Sequence, residues 1–452
     1  MPSLWFRAAL IGQEWLDEVR LSIEAGRIAR VTAGVAPQAT DERHGIAIPG
    51  VPNLHSHAFQ RAMAGLTELA GPRADDFWTW REVMYRFVDR LDPDDVEAIS
   101  AFAFAEMLEA GYTRVGEFHY LHNAPDGHPY TDLAELTRRI VAAAEQTHIG
   151  LTLLPVLYAH SNFGGLPPTH GQRRFVTSLD AFTRLLEASH DAVRALEGAR
   201  VGIAPHSLRA VTPEELAAAV PLARGGPLHI HAAEQTREVE DCLAWSGCRP
   251  VEWLLEHAAI DGRWCLVHAT HLTEAEMLRL AASGAVAGLC PITEANLGDG
   301  VFPTPAYLEA GGACGIGSDC NVLIDPAAEL RALEYAQRLT RRGRNLLASA
   351  AHRSTGRRMF EAAVTGGARA LASDAALLTE GGVADIVGLS ADHPSLASRR
   401  GDSWLDSWIF ASRDRAVDCV WRHGTKVVAG GIHVARAAIE SRYRRTLARL
   451  TS

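Results

Sequence analysis

Eight short apolar runs, each of strand length and each separated from the next by intervening sequence, constrain this chain more than any other feature. They are Val51 to His57, Val115 to Phe118, Leu151 to Val156, Val201 to Pro205, Leu228 to His231, Cys265 to His268, Ala285 to Cys290 and Ala313 to Asp319. Between them, Pro93 to Ala110, Leu133 to Gln146 and Pro213 to Ala223 read as helices. Eight strands alternating with helices predict an α/β fold, a closed parallel (β/α)8 TIM-like barrel with extra length in its loops. A doubly wound sheet is the alternative. Against it, no Gly-x-Gly-x-x-Gly follows a strand and opens a helix, and there is no Gly-Lys-Ser/Thr phosphate loop.

The two ends of the chain read differently. From Trp5 to Ile48 short alternating strands are separated by turn residues (Val19 to Ile23, Ile28 to Val31, Ile46 to Ile48), too little to be stable alone. Matching pieces lie at Ala384 to Leu389 and Arg415 to Ala429. The expected division is therefore a small β-sandwich domain from residues 1–48 and 380–452, with the barrel over residues 49–379.

Composition narrows the function classes. The 452 residues are 47% hydrophobic with a formal net charge of -10, so no basic stripe points to nucleic acid or an anionic membrane. Seven cysteines, odd in number and without a Cys-x-x-Cys pair, argue against a disulfide framework and a cysteine zinc site, and fit a reducing cytoplasm. The stretch from Met1 to Trp15 lacks a basic start and a continuous apolar segment, and no run approaches the roughly 20 apolar residues of a membrane helix.

The polar residues that end the strands carry the chemistry, because barrel enzymes work at the C-terminal ends of their strands. His55 and His57 are two apart on the first strand, so both imidazoles project to one side. Alone this pair is a weak signal. His231 ends the fifth strand, His268 the sixth, and Ser318-Asp319 the eighth, and so many polar groups at one mouth are hard to satisfy as packing. His229 has the same spacing to His231 but lies roughly 6.6 Å deeper and reads as a core or supporting group. His55, His57, His231 and Asp319 are the expected ligands of one divalent metal, three imidazoles and a carboxylate suiting zinc, with iron or nickel open by ligand type. A lysine bridging two metals is ruled out inside the barrel, since the one lysine, Lys426, falls in the terminal β-region.

Glu234, three residues after His231, stands where it could take a proton from water and deliver it to a leaving nitrogen. Asp319 could share that proton while ligating, and His268 could polarise the substrate. Glu234, His268 and Asp319 are the candidate catalytic residues. Cys290 and Cys320 flank the site and read as small buried hydrophobes.

Together Pro49-Gly50-x4-His55-x-His57, His231-x-x-Glu234, His268 and Ser318-Asp319 resemble the amidohydrolase superfamily over nearly the whole chain, and the single-metal His-x-x-Glu form resembles its deaminase branch. Within that branch, Pro52 to Arg61, Gly116 to Tyr120, Pro205 to Arg209 and Thr293 to Gly300 resemble the formimidoylglutamate deiminase family of histidine degradation. The resemblance implies hydrolysis of N-formimino-L-glutamate to N-formyl-L-glutamate and ammonia by hydroxide attack on the formimino carbon, in a homodimer. It also implies that Gln60, Arg81, Tyr120, His206 and Arg209 bind the small acidic amidine substrate, positions that spacing alone would not select. Two arginines suit its two carboxylates, since guanidinium geometry favours bidentate pairing. Arg81 is expected on a long first loop, Trp78 and Trp80 as pocket, lid or packing, and Leu297 to Gly300 as a turn after the seventh strand. The alternatives are a deaminase of guanine, cytosine or an adenosine derivative, and a non-catalytic scaffold, whose mark would be lost ligands.

Overall fold

The computed structural model describes residues 3–70, 75–374, 377–413 and 416–451. Met1 and Arg415, which bound two of the segments above, lie outside them. The eight barrel strands are present in order: Val51–Ser56, Tyr112–His119, Gly150–Leu157, an interrupted fourth, Leu228–Ala232, Trp264–His268, Val286–Leu289 and Ala313–Ile316. Neighbours pair in parallel throughout. Parallel bridges Ile203–Leu228 and Ser207–His231 join the fourth strand to the fifth, and Ser56–Asp319 joins the eighth to the first, so the barrel closes.

The fourth strand survives only as Arg200–Val201 and Ala204–Pro205. Gly202 lies between these pieces, where a Cβ would stand 2.4 Å from the Pro227 carbonyl oxygen, so the chain yields locally to the fifth-strand approach. Helix limits follow their caps. Pro93–Ala110 starts at Asp92, whose side chain accepts from Asp95 N, and stops at Gly111 with φ +105. The next helix is Glu135–Thr147, starting two residues later than expected because the Asp132 side chain turns the chain back onto Ala134 N. Pro213–Ala219 passes into a 3-10 turn over Val220–Ala223, since Pro221 has no N–H to continue the helix.

The termini form one eight-stranded sheet in the order Ile432–His433, Thr425–Ala429, Val417–Arg422, Ile386–Leu389, Glu42–Pro49, Ser3–Ile11, Glu14–Glu24, Arg27–Thr32. N- and C-terminal strands meet where Ile386 to Leu389 run antiparallel to Ile46 to Pro49. The far edge curls back so that Arg27 bridges Val383, enclosing Phe6, Leu21, Ile386 and Trp421 in a core separate from that of the barrel. The C-terminal segment also holds two helices that the sequence reading did not anticipate, Ser403–Ala411 and Arg436–Thr451. Both dock on the barrel's helical layer. Arg331 Nε donates to Ile409 O at 2.7 Å, and the Tyr443 ring stacks on Phe102 at 3.9 Å. No helix among the described residues is long and apolar enough to cross a membrane.

Candidate metal centre and substrate pocket

His55, His57 and His231 converge at the mouth of the barrel, each buried. The His57 Nδ1 lies 3.0 Å from the Phe118 carbonyl and the His231 Nδ1 lies 3.0 Å from the His206 carbonyl. A carbonyl only accepts, so each Nδ1 carries the proton and each Nε2 turns a lone pair toward the shared centre. There His231 Nε2 and His55 Nε2 are 3.2 Å apart, and Asp319 Oδ1 stands 3.5 Å from His55 Nε2 and 3.3 Å from His57 Nε2. Burial pushes His55 down to about 3 and lowers His57 and His231 too, which keeps the imidazoles neutral. Burial would raise Asp319, but its contact with His55 and the positive His268 beside it hold it well below the usual carboxylate range. Lone pairs of neutral imidazoles facing one another and an ionised carboxylate repel unless a cation sits among them. These four donors fit a divalent metal.

The seam between the eighth and first strands places three of the four. Asp319 N donates to His55 O at 3.0 Å and His57 N to Asp319 O at 2.9 Å. Asn321 Nδ2 donates to His57 O, Asp319 O and Ser56 Oγ at 2.9 to 3.2 Å, while Asn53 and Ser318 hydrogen-bond each other across the same seam. Gly317 permits the approach, since a Cβ there would meet His55 backbone atoms at 2.8 and 2.9 Å. Asp319 and Asn321 have φ +43 and +56, left-handed values that cost energy in non-glycine residues and recur at functional sites.

Glu234 and His268 stand beside these four donors. His268 Nε2 lies 3.6 Å from Asp319 Oδ2 and 3.7 Å from Glu234 Oε1, and its Nδ1 faces Glu294 Oε1 at 3.3 Å. Burial alone would depress His268, but Glu234, Glu294 and Asp319 together raise it well above the ordinary histidine range. Burial pushes Glu234 up to about 7, against His268 and Arg209. Its position is set by Glu238, a buried carboxylate on the next helical turn that accepts from Ala233 N at 3.1 Å and Glu234 N at 3.2 Å. The sequence reading assigned Glu238 no role, and Glu294 none beyond its place in the Thr293 to Gly300 motif.

The centre opens into a cavity whose lining includes Gln60, Arg81, Tyr120, His206 and Arg209 along with His57, His231, Glu234, His268 and Asp319. Gln60 Nε2 donates to Tyr120 Oη at 2.7 Å, leaving Gln60 Oε1 buried without a partner. Arg209 is buried, with Nη2 3.9 Å from both Glu234 Oε2 and Glu238 Oε2. Arg81 sits on a helix, Phe77–Val88, where a loop was expected, because Asp76 caps the backbone N–H groups of Trp78 and Thr79. Trp80 lines the cavity, as do Tyr85, Tyr158 and Phe175, which the sequence reading missed. The Leu297 to Gly300 turn follows a short helix, Pro291–Leu297, and not the seventh strand directly. His229 Nε2 lies 2.7 Å from Ala370 O, away from the centre, and Lys426 lies in the terminal sheet beside Glu42. Cys320 lines the cavity, and Cys290 lies against His268 and Asp319.

Known proteins are similar to this chain in sequence and fold. A model described as the amidohydrolase family matches residues 46–427, and one described as the N-terminal domain of formimidoylglutamate deiminase HutF matches residues 2–45. The chain is 49% identical over 435 residues, 96% of each chain, to a formimidoylglutamate deiminase of Pseudomonas aeruginosa. Its fold superposes on the crystal structure of an amidohydrolase from Brucella melitensis with a TM-score of 0.97, at 50% identity and covering 100% of both chains. An adenosine deaminase from Xanthomonas campestris with bound zinc shares the fold at a TM-score of 0.82 and 21% identity, covering 99% of this chain and 98% of that one. The chain belongs to the metal-dependent amidohydrolase family, in the branch that holds the formimidoylglutamate deiminases.

Proposed function

We propose that this chain hydrolyses N-formimino-L-glutamate to N-formyl-L-glutamate and ammonia, a step of histidine degradation. One juxtaposition carries the reading: a cluster of metal donors beside a protonatable glutamate at one end of a cavity, and two guanidiniums, Arg81 and Arg209, lining the same cavity. A substrate with an amidine-like carbon and two carboxylates matches both features. The similarity to the Pseudomonas deiminase points the same way.

His55, His57, His231 and Asp319 would hold one ion, with zinc favoured by three imidazoles and one carboxylate. Such an ion, when bound, lowers the pKa of water there to about 7. Glu234, raised toward neutrality, takes a proton at its carboxylate and returns it to the leaving nitrogen. His268, held positive by three carboxylates, donates from Nε2 to the substrate as charge develops. The oxygen of water adds to the formimino carbon, the bond from that carbon to its terminal nitrogen breaks, and ammonia leaves as the carbonyl forms. Arg81 and Arg209 bind the carboxylates, with Gln60, Tyr120 and His206 orienting the chain between. The seven free cysteines accord with a cytoplasmic enzyme, and a homodimer is part of the same proposal.

Replacing Glu234 with Gln tests the division of labour. Turnover should vanish while metal content stays at the wild-type level; loss of the metal would make Glu234 a ligand instead.

A further inference from the structure

Three guanidiniums surround one indole beside the cavity. The Cζ atoms of Arg81, Arg237 and Arg209 lie 4.5, 4.8 and 5.9 Å from the Trp78 ring centroid. They come from three elements: the helix Phe77–Val88, the helix Thr236–Ser246 that begins two residues after Glu234, and the segment after the fourth strand. Arg81 and Arg209 line the cavity. Arg237 does not; its side chain is 62% exposed, and Asp241 Oδ2 stands 3.9 Å from its Nε, beyond hydrogen-bonding reach.

Gathering like charges costs free energy, and the electron-rich face of an indole offsets part of it. Guanidiniums packed around one ring are about a Debye length apart or less at moderate salt, so they act on an approaching anion together. The tie between Arg237 and Trp78 also spans two elements, joining the cavity wall to the helix whose Glu238 supports Glu234. An exposed arginine is normally free to move into solvent, and here an aromatic face holds it near two buried-side partners of the same sign.

We propose that Arg237 is a specificity residue for doubly charged substrates: Trp78 holds its guanidinium beside the cavity, where with Arg81 and Arg209 it favours a dicarboxylate over a monocarboxylate. The inference rests on the function proposed above and adds a third cation to it. Arg237 acts on binding and not on the reacting carbon, which lies at the metal end of the cavity, so its contribution belongs in KM and in the salt dependence of kcat/KM.

The test compares the zinc-loaded wild type with Arg237→Gln, Trp78→Leu and the double variant. Substrates are N-formimino-L-glutamate and the monocarboxylate N-formiminoglycine, each at about 20 and about 200 mM salt, which shortens the Debye length severalfold. For Arg237→Gln we expect KM for the dicarboxylate to rise about fivefold with kcat within about twofold, a shallower salt dependence, and a change below about twofold for the monocarboxylate. Trp78→Leu should raise KM for the dicarboxylate at least as much, since Arg81 and Arg209 also lie on its ring, and adding Arg237→Gln to it should change KM little further, because the Arg237 guanidinium is already released. An unchanged KM for the dicarboxylate, or equal losses on both substrates, overturns the proposal. A wild type inert on both formimino substrates is a separate outcome: it removes the proposed function and this inference with it.

Discussion

Replacing Glu238 with Gln isolates how the Glu234 carboxylate is positioned. The Glu238 carboxylate is 1% exposed and accepts from two backbone N–H groups, of Ala233 and Glu234, with Arg209 nearby. Glutamine keeps one oxygen and turns an NH2 group toward the other N–H. A hydrogen bond to a charged acceptor is lost and a buried donor is left unpaired, together about 2–3 kcal/mol. The segment released holds Ala233 at φ +52, so it has strain to relax, and a 1 Å displacement of a reacting group costs about 10²-fold in rate. The expected result is kcat down by about 10- to 100-fold, KM not raised, zinc still stoichiometric, and a melting temperature lower by a few degrees. Steady-state kinetics, elemental analysis and calorimetry on one preparation read all four. A kcat within threefold of wild type despite the lost stability would refute the positioning role, and loss of zinc would place the effect on His231 instead.

Arg209→Met should lower kcat/KM for N-formimino-L-glutamate by about 100-fold or more, since a buried bidentate partner is removed; a mild effect, with guanine deaminated by the same protein, would favour a purine site. Asn321→Ala removes the donor shared by Ser56 Oγ, His57 O and Asp319 O, and should weaken zinc affinity by about 10- to 100-fold in a competition titration; unchanged affinity would mean the seam holds without it. Glu117→Gln tests a buried carboxyl raised to about 8 by burial, although it accepts from Ala58 N at 2.7 Å. Because its folded pKa lies above the unfolded value of about 4.3, the stability of the wild type is full at lower pH and declines as pH rises toward 8. The melting-temperature advantage of the variant should therefore be near zero at about pH 4 and grow toward pH 8; a gap independent of pH contradicts the shift.

Much of the barrel was legible because its signals are local. Each strand is a short apolar run ended by a polar residue, and the shared face of His55 and His57 follows from the two-residue repeat of a strand. The fourth strand was blurred by the close packing at Gly202, which depends on Pro227 and not on the neighbouring sequence. The helix Arg436–Thr451 was missed because, rich in charge, it is stabilised by packing against the barrel, as through Phe102 and Tyr443. At the site, residues that end strands stood out, whereas those that support them did not. Glu294 reaches His268 from 26 residues away and Asn321 reaches the first strand from the eighth, contacts that only the closed barrel creates. The cavity-lining arginines, Arg81 and Arg209, were found through family resemblance, and Trp78, read mainly as packing, has both of them and Arg237 around its ring.

The most direct measurement is ammonia release from N-formimino-L-glutamate by the zinc-loaded protein, with N-formimino-L-aspartate and guanine run beside it and the product identified by mass. Release with N-formyl-L-glutamate as the product, and guanine untouched, is the expected result. No release from either formimino substrate, with the metal verified as bound, would contradict the proposed function while leaving the metal centre in place.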